Sequence, residues 1–278
     1  MHTFETPDPT MLMVRSSAGH VTVTAGDTDR TTVELTPLNA AGEQAVATAT
    51  VTQRGGGIVV HLPHQRGGLF RQGASVDVVV HCPTGTALEV RTDAADVQAT
   101  GTYSRASVTS GSGTIEVDVV TGTANLRTGS GTVTATDVRD ALVAATGSGN
   151  VRVGHTARTA KVTVGSGDIS ISELAGDVVT KTGSGDVEVD RLDGALTTKT
   201  GSGNLTVRRA VAGSVLAKGA SGSVTIGVEE GTAAWLDVST LTGRVRQELG
   251  EAAPPTDGDN RVEITAHTVS GNLRVHRS

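Results

Sequence analysis

The sequence predicts an all-β protein, a single-chain parallel β-solenoid or β-helix of 18-residue coils with two strands per coil and an irregular β cap at its N-terminal end. Three observations predict it. Gly-Ser-Gly units return every 18 residues, apolar residues stand in phase with them, and the composition is that of strands and turns.

Gly113, Gly131, Gly149, Gly167, Gly185 and Gly203 are each the second glycine of a Gly-Ser-Gly unit and lie 18 residues apart. Thr128, Thr146, Thr182 and Thr200 keep the same phase, with Val164 in their place in one coil. Ile115, Val133, Val151, Ile169, Val187 and Leu205 form one apolar column, and Val117, Ala135, Val153, Ile171, Val189 and Val207 a second two positions on. A half-period of nine runs through Gly167, Gly176, Gly185 and Gly194, so each coil reads as two short strands and two turns. "DISIS", Asp168–Ser172, alternates as a strand with one buried face, and "DVVTKT", Asp177–Thr182, turns Val178, Thr180 and Thr182 inward.

An antiparallel meander gives no reason for identity to persist at 18, whereas a solenoid stacks residue n on residue n+18 and rewards columns of like residues. A left-handed hexapeptide helix needs small apolar residues at a period of six, and stepping by six from Ile169 meets Ala175 and then Lys181. Right-handed winding is expected from the general chirality of parallel connections.

Residues 1–90 read as a β-strand cap region continuous with the solenoid, and residues 91–278 as the repeats, regular from about 95 to 221 and irregular thereafter. "TDAADVQA", Thr92–Ala99, is a degenerate coil with Ala95 at the glycine position. Downstream, Gly222 is one residue late, Gly243 follows 21 later and Gly271 a further 28 later. The Pro- and acid-rich "EAAPPTDGDN", Glu251–Asn260, is a surface loop before the last coil. The N-terminal third is expected to form longer hairpins.

At 36% hydrophobic content, with Phe4, Phe70, Tyr103 and Trp235 as its only aromatics, the chain must build its core from small residues. A net charge of −6 without a basic block, and almost no rings for base stacking, set nucleic acid aside. "MLMV", Met11–Val14, is too short for a signal-peptide core or a membrane span, so no transmembrane segment is expected and a cytoplasmic location is the default. The single cysteine, Cys82, reads as a small buried hydrophobe rather than a reactive thiol.

Phosphate-cradling glycine loops need a helix N-terminus behind them, and here every Gly-Ser-Gly leads into another strand. The expectation is a solenoid corner. Calcium is the sharper alternative, because Asp168 and Asp186 should stack about 4.8 Å apart, as in β-rolls that bind Ca²⁺ between coils. Their column reads Thr114, Thr132, Asn150, Asp168, Asp186, Asn204, a poor ligand set, so they remain weak candidates and no metal or cofactor is expected. His61, His64 and His81 with Cys82 read as strand-end residues rather than a zinc site. No nucleophile elbow, H-E-x-x-H or C-x-x-C occurs, and Glu188 and Asp190 lie on an outward strand face, so no enzyme is expected.

Two further features are candidates. "HQRGGLFRQG", His64–Gly73, sets Leu69 and Phe70 among arginines and glycines, either as a hairpin tip or as a contact patch for a partner or membrane surface. Trp235, in "TAAWLDV", is expected to fill the core or cap where the coils become irregular.

The repeat "GSGDISISELAGDVVTKTGSGDVEVDRLDG", the opening "FETPDPTMLMVRSSAGHVTVTA" and "GTAAWLDVSTLTGRV" together resemble the bacterial β-strand-repeat family of unknown function catalogued as putative adhesins, particularly its actinobacterial members. The resemblance covers nearly the whole chain. It implies a β-solenoid with an adhesive or interaction role, an envelope or secreted location if the adhesin label holds, and no catalytic residues.

The expected function is a non-enzymatic interaction or scaffolding protein whose outward Thr, Asp, Asn and Lys ladders, including Lys181, Lys199 and Lys218, contact an unknown protein or envelope component. The alternatives are a self-assembling scaffold joined through the solenoid ends, where "GNLRVHRS" would be the exposed terminal strand, and a calcium-stabilised β-roll.

Overall fold

A computed structural model describes residues 1–63, 73–250 and 260–278. Among the described residues the chain is all-β apart from one short helix, and it divides into two compact units, Met1–Asp140 and Ala141–Ser278. The first contains β1 (His2–Glu5), β2 (Met11–Ser16), β3 (Ala18–Gly26), β4 (Arg30–Pro37), α1 (Ala40–Ala47), β5 (Thr50–Arg54), β6 (Gly57–His61), β7 (Ser75–Pro83), β8 (Ala87–Thr92), β9 (Asp96–Tyr103), β10 (Arg105–Ser110), β11 (Ile115–Val120), β12 (Ala124–Ser130) and β13 (Val133–Val138).

Two parallel ladders organise this unit, β6-β2-β8-β10-β12 and β7-β3-β9-β11-β13. The chain's first coil, β2 with β3, therefore sits one layer in, beneath the coil of β6 and β7. That outer coil is covered in turn, since β5 pairs antiparallel with β6, β4 with β7, and β1 with β4. The N-terminal third thus joins the parallel stack and is not a set of hairpins throughout. Helix α1 was not expected. Asn39 Oδ1 caps it by accepting from the Gly42 amide at 2.7 Å, and the buried face of the helix, Gly42 and Ala45, packs on β4 and β7.

The second unit contains β14 (Ala141–Ser148), β15 (Val151–Thr156), β16 (Thr159–Ser166), β17 (Ile169–Leu174), β18 (Asp177–Ser184), β19 (Val187–Ser202), β20 (Leu205–Ser221), β21 (Val224–Val228), β22 (Ala233–Thr242), β23 (Val245–Glu248), β24 (Arg261–Ser270) and β25 (Leu273–Arg277). Here the 18-residue period is the register itself: Ile169 pairs with Val187, Val178 with Leu196 and Lys181 with Lys199, all in parallel. β19 and β20 run through the second corner without a break and so serve both ladders.

After β21 the stacking departs from chain order. β24 pairs with β20 on one side and β22 on the other, and β25 lies likewise between β21 and β23. Gly271 accordingly stacks on Gly222, and Gly243 on Gly271. The C-terminal strand "GNLRV" is the second coil in from the end. The outer coil is β22 with β23, so the exposed ladder expected at the chain end belongs to Ala233–Glu248. Trp235 is not a core or cap filler either; it is 60% exposed on the outward face of that coil.

The predicted apolar columns form the core. Val151, Ile169, Val187 and Leu205 are buried, as are Val153, Ile171, Val189 and Val207. The threonine column lies against the corner inside each coil, where the Thr128 hydroxyl donates to the Gly113 carbonyl at 2.9 Å. Thr182 and Thr200 bury hydroxyls without a partner among the described residues, so the column does not require a hydrogen bond in every coil and admits Val164. Tyr103 is the one aromatic side chain buried in the N-terminal core among the described residues, and its hydroxyl lies 2.9 Å from each of the carbonyls of Val23 and Thr100.

The corners are set by crowding of one backbone on the next. Gly203 has φ +152°, and a Cβ there would be driven into the Gly185 carbonyl. Gly219, at ordinary φ, has Thr200 Cγ2 as its nearest neighbour, 3.4 Å from where a Cβ would sit. Gly203→Ala should therefore cost roughly 3 kcal/mol, whereas Gly219→Ala should stay within about 0.5 kcal/mol of the parent. Chemical denaturation of the two variants checks the contrast.

Candidate interaction surface

The outward face of the ladder β14-β16-β18-β19-β20-β24-β22 carries all four lysines of the chain, each exposed. Lys181, Lys199 and Lys218 are consecutive partners in register, followed by His267 and Ser239, so three ammonium groups rise in a line about one strand spacing, ~4.8 Å, apart. Lys161 lies in the adjacent column, opposite Val179. None of the four meets a carboxylate among the described residues. The arginines are used differently: Arg208 bridges Glu188 and Asp190, Arg209 meets Glu229, and Arg274 meets Glu248 at 2.7 Å. Glu188 and Asp190 are thus members of an exposed ion-pair cluster. The column beside the lysines, Gly183 and Gly201, is flat and leaves the ammonium groups open to a partner.

The Gly-Ser-Gly corners carry a different device. Asn150 Oδ1 accepts the amide of Asp168 at 2.9 Å, Asp168 Oδ1 that of Asp186 at 2.9 Å, Asp186 Oδ1 that of Asn204 at 2.7 Å, and Asn204 Oδ1 that of Ser223 at 2.9 Å. Each side chain satisfies a corner amide of the next coil. Asp168 and Asp186, the calcium candidates, spend one carboxylate oxygen each in this way, and Asp186 Oδ1 also accepts from the Asn204 side-chain amide at 3.1 Å. No group of three His, Cys, Asp or Glu residues able to hold a metal occurs among the described residues. The column accepts carboxamide (Asn150, Asn204) and carboxylate (Asp168, Asp186) alike because either provides the acceptor.

The histidines and cysteine do not converge. His61 ends β6 on one ladder and His81 lies on β7 in the other, while Cys82 points inward and is fully buried. Burial raises the Cys82 pKa, and a hydrogen bond with Thr86 offsets part of that rise. His64, Leu69 and Phe70 lie outside the described residues. Sequence reasoning missed a shallow groove of about 300 Å³ on the outward face of β3, β9 and β11, where His20 pairs with Asp77 at 2.9 Å beside Asp96, Gln98 and Glu116. Its signal, a His stacked between two Asp residues, depends on a register that no 18-residue count supplies.

With the corners and ladders in place, comparison with known proteins is decisive. The profile of the Toastrack DUF4097 family matches residues 10–276. The chain belongs to that family. This bears out the resemblance to β-strand-repeat proteins catalogued as putative adhesins. In fold the chain is similar to a putative lipid binding protein from Parabacteroides distasonis ATCC 8503, at 11% identity over 99% of this chain and 95% of that one, with a TM-score of 0.50. It is also similar to putative adhesins from Parabacteroides merdae ATCC 43184 (11% identity, 99% and 94% covered, TM-score 0.47) and Bacteroides fragilis NCTC 9343 (13%, 98% and 95%, TM-score 0.37). Likeness at such identity speaks to the fold alone. No curated protein matches the chain. Among the described residues no helix is long and apolar enough to cross a membrane.

For this Toastrack chain the corner ladder and the buried thiol generate two tests. Asp186→Asn keeps the acceptor and should leave stability within about 0.5 kcal/mol, whereas Asp186→Ala strips it and should cost about 1 kcal/mol; calcium or a chelator should move neither melting temperature. Cys82 should resist Ellman's reagent in the native protein and react once the chain is unfolded in denaturant.

Proposed function

We propose that the chain is a β-solenoid that acts as a rigid interaction or scaffolding element of the adhesin-like kind, with no reaction of its own. The lysine face carries the reading. In a chain of net charge −6, its four lysines are gathered on one ladder and left without carboxylate partners among the described residues. Parallel pairing at intervals of 18 and 19 residues supports the solenoid and fixes the spacing of that line. A row of like charges on a stiff support takes several weak contacts at once, each worth up to about 1 kcal/mol at a surface. It fits a partner that presents anionic groups in a row.

The test is capture from native lysate and envelope fractions by the parent protein and by a K181Q/K199Q/K218Q variant. A partner should be retained by the parent, released by about 0.5 M salt, and lost at least tenfold with the variant. Equal retention by both proteins overturns the lysine face as the binding element.

A further inference from the structure

The outer coil of the second unit, β22 with β23, pairs on one side only among the described residues. Its inward residues continue the core columns. Leu236 lies over Ile264, Val238 over Ala266 and Val245 over Leu273, and those underlying residues are all buried. Nothing described lies above them, and Val245 is 41% exposed. The outward face of the coil adds Trp235 at 60% and Leu241 at 79% exposure. A solenoid normally ends in a coil with a polar outer face. In the N-terminal unit the outer coil of β6 and β7 is covered by antiparallel β5 and β4, so the device used there is missing here.

We propose that this edge is the interface of a two-fold dimer, with β22 and β23 of one copy pairing antiparallel with the same strands of a second copy. The coil is complementary to itself. Val238 and Gln247 lie nine residues apart on the two strands that flank the Gly243 corner, and the proposed two-fold axis, perpendicular to the stack, runs through both strands near these positions. About Val238, inward residues meet inward residues, and Trp235 of each copy faces Leu241 of the other. About Gln247, Arg246 of each copy faces Glu248 of the other. Arg246 has no ion pair of its own among the described residues, and it stacks on Arg274, a like charge. Gln247 itself stands where the coil beneath has the buried Val275, and a carboxamide, both donor and acceptor, can pair with its own copy on the axis.

A foreign strand would satisfy the backbone of the edge but has no reason to match Trp235, Arg246 and Gln247 together. The ten residues of β22 span roughly 33 Å at strand rise, and two ladders about 10 Å apart, each with outward side chains reaching about 5 Å further, make the coil end about 20 Å wide, on the order of 600 Å² per copy. That is the low end of specific interfaces, so association in the micromolar range is expected. Because the interface is isologous it closes on itself, giving a dimer and not a filament. The proposal does not rest on the lysine face.

Sedimentation equilibrium from about 1 to 200 µM should show a reversible step to twice the 28.1 kDa monomer. R246E and E248R each surround the axis with like charges and should weaken dimerisation at least tenfold, with melting temperatures near the parent. Mixed in equal amounts, the two variants should recover association, because only the heterodimer is complementary at both contacts. W235S should also weaken it. A monomer at every concentration, growth beyond the dimer, or failure of the mixture to recover overturns the proposal; the lysine variant leaves dimerisation unchanged, so the two readings fail separately.

Discussion

Each coil of this protein rests its backbone directly on the backbone of the coil below, and the corners are where that contact is tightest. At Gly185 and Gly203 the carbonyl of the preceding coil occupies the space a Cβ would need. Only glycine permits that approach, and the approach keeps the parallel strands in register. Once the register is held, every column follows: valines and isoleucines stack inward, threonines line the corner, and corner side chains reach the amide of the next coil. The lysine line is a consequence of the same spacing, since three ammonium groups stand at strand distance only because their backbones do.

In both units a coil from near the chain end is tucked beneath another. In the N-terminal unit the chain's first coil lies beneath β6 and β7, and in the C-terminal unit its last coil lies beneath β22 and β23. Burying a terminal coil between two others satisfies both of its edges and guards it against fraying. The outer coil then carries the exposed edge. Antiparallel strands meet that need in one unit, whereas in the other the edge keeps apolar residues and a self-complementary charge pair.

The side chains divide into those already used and those still available. Corner Asp and Asn residues hold backbone amides, and Arg208, Arg209 and Arg274 are paired with acids on exposed strands. These interactions are individually weak, but they leave few unpartnered carboxylates near the corners of the second unit to recruit a cation. The lysine face and the open coil are what remain. One offers charge in a line, the other an apolar edge, and they are suited to different kinds of neighbour.

By itself the sequence determined the period, the inward columns, the glycine corners and the small-residue core, because a parallel ladder converts an 18-residue interval directly into contact. Lys181 and Lys199 could be placed in one line for the same reason, and Lys218, 19 residues on, joins them through the register shift between β19 and β20. Only the tertiary structure decided the order of the coils. Spacings of 19, 21 and 28 residues between Gly203, Gly222, Gly243 and Gly271 give lengths of chain, and a length of chain does not say which layer it enters. The exposure of Trp235 is a matter of face: it stands in the outward register opposite the exposed Glu263, where no layer order would bury it in the core. Helix α1 escaped because eight residues are too few to show a helical period; its Asn39 cap is a local bond to Gly42, but the contacts that hold that side chain in place come from Gly73 and Ser75, more than thirty residues away. Periodicity is local information repeated; the seat of a terminal coil is settled by which exposed edge it can satisfy on both sides.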